Sequence, residues 1–399
     1  MSDQLTDMNL LYNAFKASMK GSSWKTEPQK FEANFLCELV KLKKELDSLE
    51  YVTSPETEFT INERGKLRHI HGARMRDRVV RHTLCDNELT PKLNPYLIYN
   101  NGASQKGKGL TFSREIFERD LHNFWLKYRT NEGYIGLVDL SKFYDNIQHD
   151  RVREYVYPKV TEEARWMLNE ILKTFEVDVS YLFDTPIEQL MEAKFDSVAY
   201  YEATKNMKLT GEKMLKKAVE IGDQVSQNIG VFFPTPIDNY VKIVRGCKWY
   251  GRYMDDMYVI CKDRDELVSI LNGIEAKAKE LGMYVNMKKT HIAKLSDTFK
   301  YLQVKYTLTN TGKVIRRINP QNLTRERRRI KAYKRQLDAG KMSYKDIEQA
   351  VRSWMGSFYK LMSKQQIKHM KELYYELFKE ELTWKRKSSS KTARKSTQK

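Results

Sequence analysis

The chain has 399 residues, 41% of them hydrophobic and 12% aromatic, enough apolar material for two or three packed subdomains and against general disorder. Its 71 Lys and Arg against 52 Asp and Glu leave a net charge of +19, which favours polyanionic partners, nucleic acid first among them. No apolar run approaches the roughly 18 residues a spanning helix needs, no basic and apolar leader opens the chain, and Cys37, Cys85, Cys247 and Cys261 form no CxxC pair, so a cytoplasmic protein with reduced thiols and no membrane partner is expected.

Residues 1–60 read as an N-terminal helical extension. Leu10, Leu11 and Phe15, then Phe35, Leu36, Leu39, Val40, Leu42 and Leu46, recur at helix spacing, with a turn at Gly21-Ser22-Ser23 between two helices. Residues 59–61 and 67–70 predict a β-hairpin, and 74–89 a helix. Asn101 to Gly109 is an irregular Gly-Lys loop, followed by an amphipathic helix over 112–126 and a buried strand over 134–140. Residues 160–220 are expected to be a helical insertion. A helical pattern over 228–244 is interrupted by Pro234 and Pro236. Two strands meet near 255, a helix covers 264–281, and 284–286 and 299–307 are strand-like. From 315 a helical region carries Arg316, Arg317, Arg325, Arg327, Arg328 and Arg329, with further helices over 343–362 and 364–383. The stretch 385–399 has seven basic and no acidic residues and is expected to be a disordered basic tail.

Two acidic motifs carry chemistry. In WYGRYMDDMYVI, Asp255 and Asp256 sit between two apolar runs, at the tip of a tight hairpin. Adjacent carboxylates repel, and burying them is costly unless a cation neutralises them; alone, the pair reads equally as a surface Asp-Asp turn. In LVDLSKFYDNI, Asp139 ends an apolar strand, a place for a catalytic group and also for a simple turn former. One carboxylate at a strand end and a pair more than a hundred residues later match the clamp that two-metal phosphoryl transfer uses.

These two motifs resemble the first palm motif and the YxDD box of the reverse transcriptase family. The resemblance implies an α+β right-hand polymerase, with fingers and palm over 61–314 and a helical thumb over 315–384. It implies an RNA-directed DNA polymerase using two Mg2+ ions, or Mn2+, held by Asp139, Asp255, Asp256 and the Leu140 carbonyl. Tyr144 falls at the steric-gate position, although a ring there is also an ordinary core aromatic, and Tyr253 and Met254 fall beside the primer terminus.

Further blocks follow in the family's order. Arg68, assisted by Lys66, resembles the basic fingers residue that contacts the triphosphate. ARMRDRVVRHTL (73–84) resembles a basic helix of bacterial members, and Lys106 or Lys108 of the Gly-Lys loop would hold template phosphate. Ile221 to Gln227 resembles the block that contacts template and dNTP, through Gly222, Gln224, Ser226 and Gln227. Its Ile-Gly and Ser-Gln replace the common Gln-Gly and Ser-Pro, as in the error-prone enzymes of diversity-generating retroelements, and Val219-Glu220 replaces the usual Leu-Pro. Lys289, with Lys288 as alternate, matches the lysine that protonates pyrophosphate. Tyr301 and Leu302 match the primer grip, with Gln303 for its usual Gly. Ser353 to Gly356 is similar to a thumb segment of bacterial members, and Arg325, Arg328 and Arg329 would meet the phosphates of template and primer.

The expected partners are structured template RNA, an RNA–DNA hybrid and dNTPs, with a basic accessory protein or a second copy of the chain. Defence-associated and group II intron-like reverse transcriptases are the alternative subclasses. Template-independent terminal extension and a non-catalytic RNA-binding scaffold are the competing functions, and the intact acidic trio argues against the second.

Overall fold

The computed structural model describes residues 5–63, 65–180, 183–184, 186, 211 and 213–382, apart from the side chains of residues 63, 66 and 69. At the N-terminus the Asp7 carboxylate accepts the N–H groups of Asn9 and Leu10 and so caps α1 (Met8–Met19). The second expected helix is two, α2 (Thr26–Ala33) and α3 (Phe35–Asp47), because Asn34 leaves helical geometry at φ −126°. Leu11, Phe15, Leu39, Leu42 and Leu46 are buried, and Phe15 stacks on Phe35 with centroids 5.4 Å apart. Leu36 and Val40, expected on the same apolar face, are exposed.

The hairpin is longer than its apolar core implied: β1 (Thr57–Glu63) pairs with β2 (Lys66–Gly72) along its whole length, with Gly65 at φ +84° in the turn. Helix α4 (Met75–Leu84) runs through a wide π-turn, Cys85–Leu89, into the short α5 (Thr90–Leu93).

The central sheet is antiparallel and built on β3 (Tyr134–Ser141), whose six inner residues are all buried. Strands β6 (Tyr250–Tyr253) and β7 (Asp256–Cys261) extend the sheet on one side; β8 (Tyr284–Val285) and β9 (His291–Lys294) both pair with β3 on the other. The helices around it are α6 (Leu110–Tyr128), α7 (His149–Val156), α8 (Glu162–Thr174), α9 (Gln224–Phe232), α10 (Thr235–Asn239) and α11 (Arg264–Glu280). Gly136 lets α11 lie close on β3: a Cβ there would stand 3.0 Å from a Leu271 methyl.

The expected helical insertion over 160–220 is corrected in part. Helix α8 buries Ala164, Met167, Leu168, Ile171 and Leu172 in the main core, so it belongs to the body of the unit. Beyond it β4 (Val177–Asp178) pairs with β5 (Met214–Leu215), and most of the chain between them lies outside the described residues, as does the expected basic tail.

The chain divides between Leu295 and Ser296 into two compact units, ahead of the boundary expected at 314. The second unit holds β10 (Phe299–Tyr301), β11 (Val304–Leu308), β12 (Val314–Ile318), α12 (Pro320–Asp338), α13 (Tyr344–Phe358) and α14 (Lys364–Phe378). Arg316 and Arg317 therefore lie on a strand and not on a helix. Val314, Ile315 and Ile318 suit a pleated surface, and Gly312 (φ +79°) turns the chain back along β11. The unit's core is Ile318, Leu323, Ile330, Tyr333, Ile347, Val351, Met355, Met370 and Tyr374.

Inside α12 the Glu326 carboxyl is buried, with Arg329 3.8 Å away and one oxygen without a hydrogen-bond partner. Burial pushes its pKa from 4.5 up to about 7. The folded form then holds a proton that the unfolded chain has released, so stability falls as pH rises between those two values. Glu326→Gln should raise the unfolding free energy by on the order of 1 kcal/mol above pH 7 and leave it unchanged below pH 4, read from denaturant midpoints across pH.

Candidate active site

Strand register brings the acidic residues together. In the β3–β7 ladder Asp139 is the Cα partner of Asp256, so two carboxylates more than a hundred residues apart in sequence stand side by side on neighbouring strands. Asp255 occupies the two-residue turn between β6 and β7, where Tyr253 pairs with Asp256. Met254 adopts φ +55°, a left-handed conformation that costs a side-chain-bearing residue about 1–2 kcal/mol. Strain of this kind persists only where neighbours hold it.

Arg252 is that neighbour. Its guanidinium is fully buried and donates to the Met254 carbonyl (3.3 Å), the Val231 carbonyl (2.8 Å) and both oxygens of Asp238 on α10 (2.7–3.1 Å). The Tyr250 hydroxyl adds a 2.6 Å bond to Asp238. The Gly-Lys loop docks on the outer edge of β6, where Arg252 N–H donates to the Asn100 carbonyl and Gly102 N–H to the Arg252 carbonyl, both at 3.3 Å. Lys108 donates to the carbonyls of Tyr99 (2.9 Å) and Asn101 (3.1 Å), and burial lowers its pKa. It braces the loop, while Lys106 is exposed to solvent.

Burial is the main cause that raises the Asp255 pKa; the Asp139 charge adds to it, and the residue's own N–H, Lys289 and Arg68 oppose it. The field of Arg68, on β2, therefore reaches the turn. Lys66 ends the same hairpin opposite Glu63, and its side chain lies outside the described residues. Lys289 donates to both Asp139 oxygens at 2.9 Å. The turn that carries it is tied to β3 at the same residue: Asn286 N–H donates to the Asp139 carbonyl (2.8 Å), and Asp139 N–H donates to the Thr290 hydroxyl (3.3 Å). Leu140 pairs with Val285 and turns its side chain into the core.

The donor set is hard oxygen, which suits Mg2+ or Mn2+. Lys289 supplies at Asp139 the positive charge that such an ion would bring. Among the described residues the one group of three acidic or imidazole donors within 4.8 Å of one another is elsewhere, at Glu56, His71 and Glu220. The three aspartates are thus adjacent without being drawn as tightly as bound metal ligands.

Tyr144 begins the 3-10 turn after β3. Its half-buried ring contacts the turn through the hydroxyl, 3.8 Å from the Met254 sulfur, and burial followed by the Asp255 charge pushes the phenol up to about 12. On its other side Gly230 of α9 leaves room for the ring: a Cβ would stand 3.1 Å from one ring carbon. Sequence reasoning missed Gly230; a lone Gly within a helical run was its one signal. It also missed Asp238 and Arg252, whose partnership no local pattern reveals.

The block before α9 is only partly open. Gly222 (φ +107°) is exposed, and Gln227 faces solvent one turn later. Asp223 caps α9 and pairs with the buried Arg81 at 3.1 Å. Gln224 donates to Asp86 at 2.8 Å, and Ser226 is fully buried. In the second unit Tyr301 and Leu302 are buried at a hairpin turn in which Leu302 and Gln303 both have positive φ, and Arg325, Arg328 and Arg329 are exposed along α12.

A family model described as reverse transcriptase (RNA-dependent DNA polymerase) matches residues 62–306, more than half of the chain. No curated protein matches it.

Asp238→Ala would strand the Arg252 guanidinium in the interior without its counter-charge. A loss of about 3–5 kcal/mol in unfolding free energy is expected, with loss of polymerase activity at temperatures where the fold survives. Denaturant unfolding followed by tryptophan fluorescence reads the first, and a primer-extension assay the second.

Proposed function

From the premise that this chain belongs to the reverse transcriptase (RNA-dependent DNA polymerase) family, we propose that Asp139, Asp255 and Asp256 are its catalytic carboxylates. The observation that carries the assignment is the β3–β7 register, which pairs Asp139 with Asp256 one residue from the strained Asp255 turn. With the Leu140 carbonyl these side chains would hold two Mg2+ or Mn2+ ions, which when bound supply Lewis acidity at the primer 3′-hydroxyl and charge neutralisation at the triphosphate.

The remaining work falls to side chains. Lys289 is 65% exposed, so its ion pair with Asp139 is weak and exchangeable. Released, it can donate a proton to the pyrophosphate leaving group. Arg68, with Lys66 on the same hairpin, holds the triphosphate. Tyr144, wedged between Met254 and Gly230, closes the space a ribose 2′-hydroxyl would need, so the sugar selected is deoxyribose. Gly222, Gln224 and Gln227 flank template and nucleotide, Lys106 meets template phosphate, and Tyr253 and Met254 flank the primer; in the second unit Tyr301 and Leu302, with buried side chains, shape the hairpin turn assigned to the primer grip. The first unit beyond the N-terminal helices acts as fingers and palm. The second acts as a thumb whose Arg325, Arg328 and Arg329 contact phosphates of the hybrid.

The Ile221-Gly222 and Ser226-Gln227 pairs favour an error-prone cytoplasmic enzyme of a diversity-generating retroelement, copying a structured RNA with a basic accessory protein or a second copy of itself; phage defence is the alternative role.

Asp255→Asn with Asp256→Asn should lower dNTP incorporation on an RNA template by on the order of 10³-fold, with RNA affinity nearly unchanged; undiminished synthesis would exclude this site. Tyr144→Ala should raise the rNTP-to-dNTP incorporation ratio by roughly tenfold or more, and an unchanged ratio removes the gate. Homopolymer made from one dNTP without RNA would instead favour terminal extension.

A further inference from the structure

One cavity contradicts the basic character of the chain. It measures about 760 Å3 and is lined by Glu56, Glu58, Asp145, Glu176, Asp178 and Glu220, with His71 and, among the described residues, no Lys or Arg. At one wall three donors converge. His71 Nδ1 lies 3.2 Å from Glu220 Oε1 and 3.9 Å from Glu56 Oε2, and one donor atom from each of the three residues falls within 4.8 Å of the others.

The two glutamates are mostly buried, with 9% and 12% of their side chains exposed. Arg81 takes one oxygen of Glu56. The other oxygen, Oε2, is buried without a hydrogen-bond partner, and so is Oε2 of Glu220. Arg81 also pairs with Asp223, so one guanidinium faces three carboxylates, and the two enclosed glutamates beside the imidazole stay short of positive charge where they meet. Only a proton or a cation can supply it.

We propose that Glu56, His71 and Glu220 form a second metal site, separate from the polymerase carboxylates, that takes one Zn2+ ion. An imidazole with two carboxylates suits this borderline ion better than Mg2+. Bonds of about 2.1 Å in a tetrahedral shell put donor atoms about 3.4 Å apart, so the three need only a small contraction. Glu58, whose carboxylate is 3.8 Å from His71 Nδ1 and largely exposed, or a water can complete the shell.

The elements joined give the ion its role. Glu56 leads into β1, His71 is on β2, and Glu220 lies two residues before Gly222. A bound ion ties the hairpin that carries Arg68 to the loop that opens α9, without touching substrate. Glu56, His71 and Glu220 are positioning residues. Burial first, and then the adjacent Glu56 carboxyl, raise the Glu220 pKa.

The test uses the full chain carrying Asp255→Asn and Asp256→Asn, which removes the polymerase carboxylate pair and makes the result independent of the function proposed above. The chain is stripped with chelator and titrated with Zn2+ against a chromophoric competitor. We expect one tightly bound equivalent, a higher thermal midpoint on binding, and no competition from millimolar Mg2+. His71→Ala and Glu220→Gln should each weaken Zn2+ binding by more than about 100-fold and abolish the thermal shift. Unchanged binding in both variants would assign the ion to other histidines or thiols and overturn the proposal. Absence of binding in the parent would overturn it too, and a Glu220→Gln chain with a raised metal-free midpoint would then identify a proton-sharing carboxyl pair.

Discussion

The β3–β7 pairing is the constraint on which the rest depends. A side-chain period of two means that a slip of one residue would send Asp139 and Asp256 to opposite faces of the sheet. The register is held by the apolar residues behind it: Val138 pairs with Met257 and Gly136 with Val259 on the face that α11 covers, and Ile135 pairs with Ile260 on the other face. Hydrophobic burial thus brings together charges that repel. The energy that opposes their closeness is smaller than the energy that packs the strands, and a cation at the open end of the ladder relieves it.

Two buried arginines show how the surroundings of that ladder are kept rigid. Arg252 binds Asp238 and the carbonyls of Val231 and Met254, joining β6, α9, α10 and the Met254-Asp255 turn. Arg81 binds Glu56 and Asp223, joining α4 to the start of β1 and the cap of α9. Neither pair is a source of large net stability, because desolvation offsets much of the attraction. What they provide is geometry: a guanidinium with several fixed acceptors has one satisfactory position. Both networks end on the segments that flank Tyr144 and the Gly222 loop.

The parts legible in the sequence are those written in local pattern. The strands around Asp139 and Asp255 have apolar runs bounded by acidic residues, and the β1–β2 hairpin has its turn glycine, so both appear close to where they were expected. Parts that depend on long-range partners were not legible. Asn34 splits a helix whose apolar spacing continues through it, and Leu36 and Val40 share that spacing yet face solvent. Arg316 and Arg317 lie in a basic run that continues into α12, and their strand is set by pairing with β11, far from any charge pattern. Gly230 matters because the rings of Tyr144 and Phe143 lie against it. Lys108 has the composition of a phosphate ligand, but the loop's own carbonyls take its ammonium.

Lys289 shows how exposure decides what an ion pair is for. Two bonds of 2.9 Å to Asp139 could as well describe a structural lock as a catalytic reserve. The buried Arg252–Asp238 pair is a lock, since breaking it leaves a charge in the interior with nowhere to go. Lys289 keeps 65% of its side chain in solvent, so leaving Asp139 returns the ammonium to water at little cost. A divalent ion held by Asp139 would supply the positive charge that the ammonium gives up. On the function proposed, the released ammonium is the proton donor for the leaving group. On that reading, the contact that offsets the Asp139 charge also keeps a general acid beside the carboxylates.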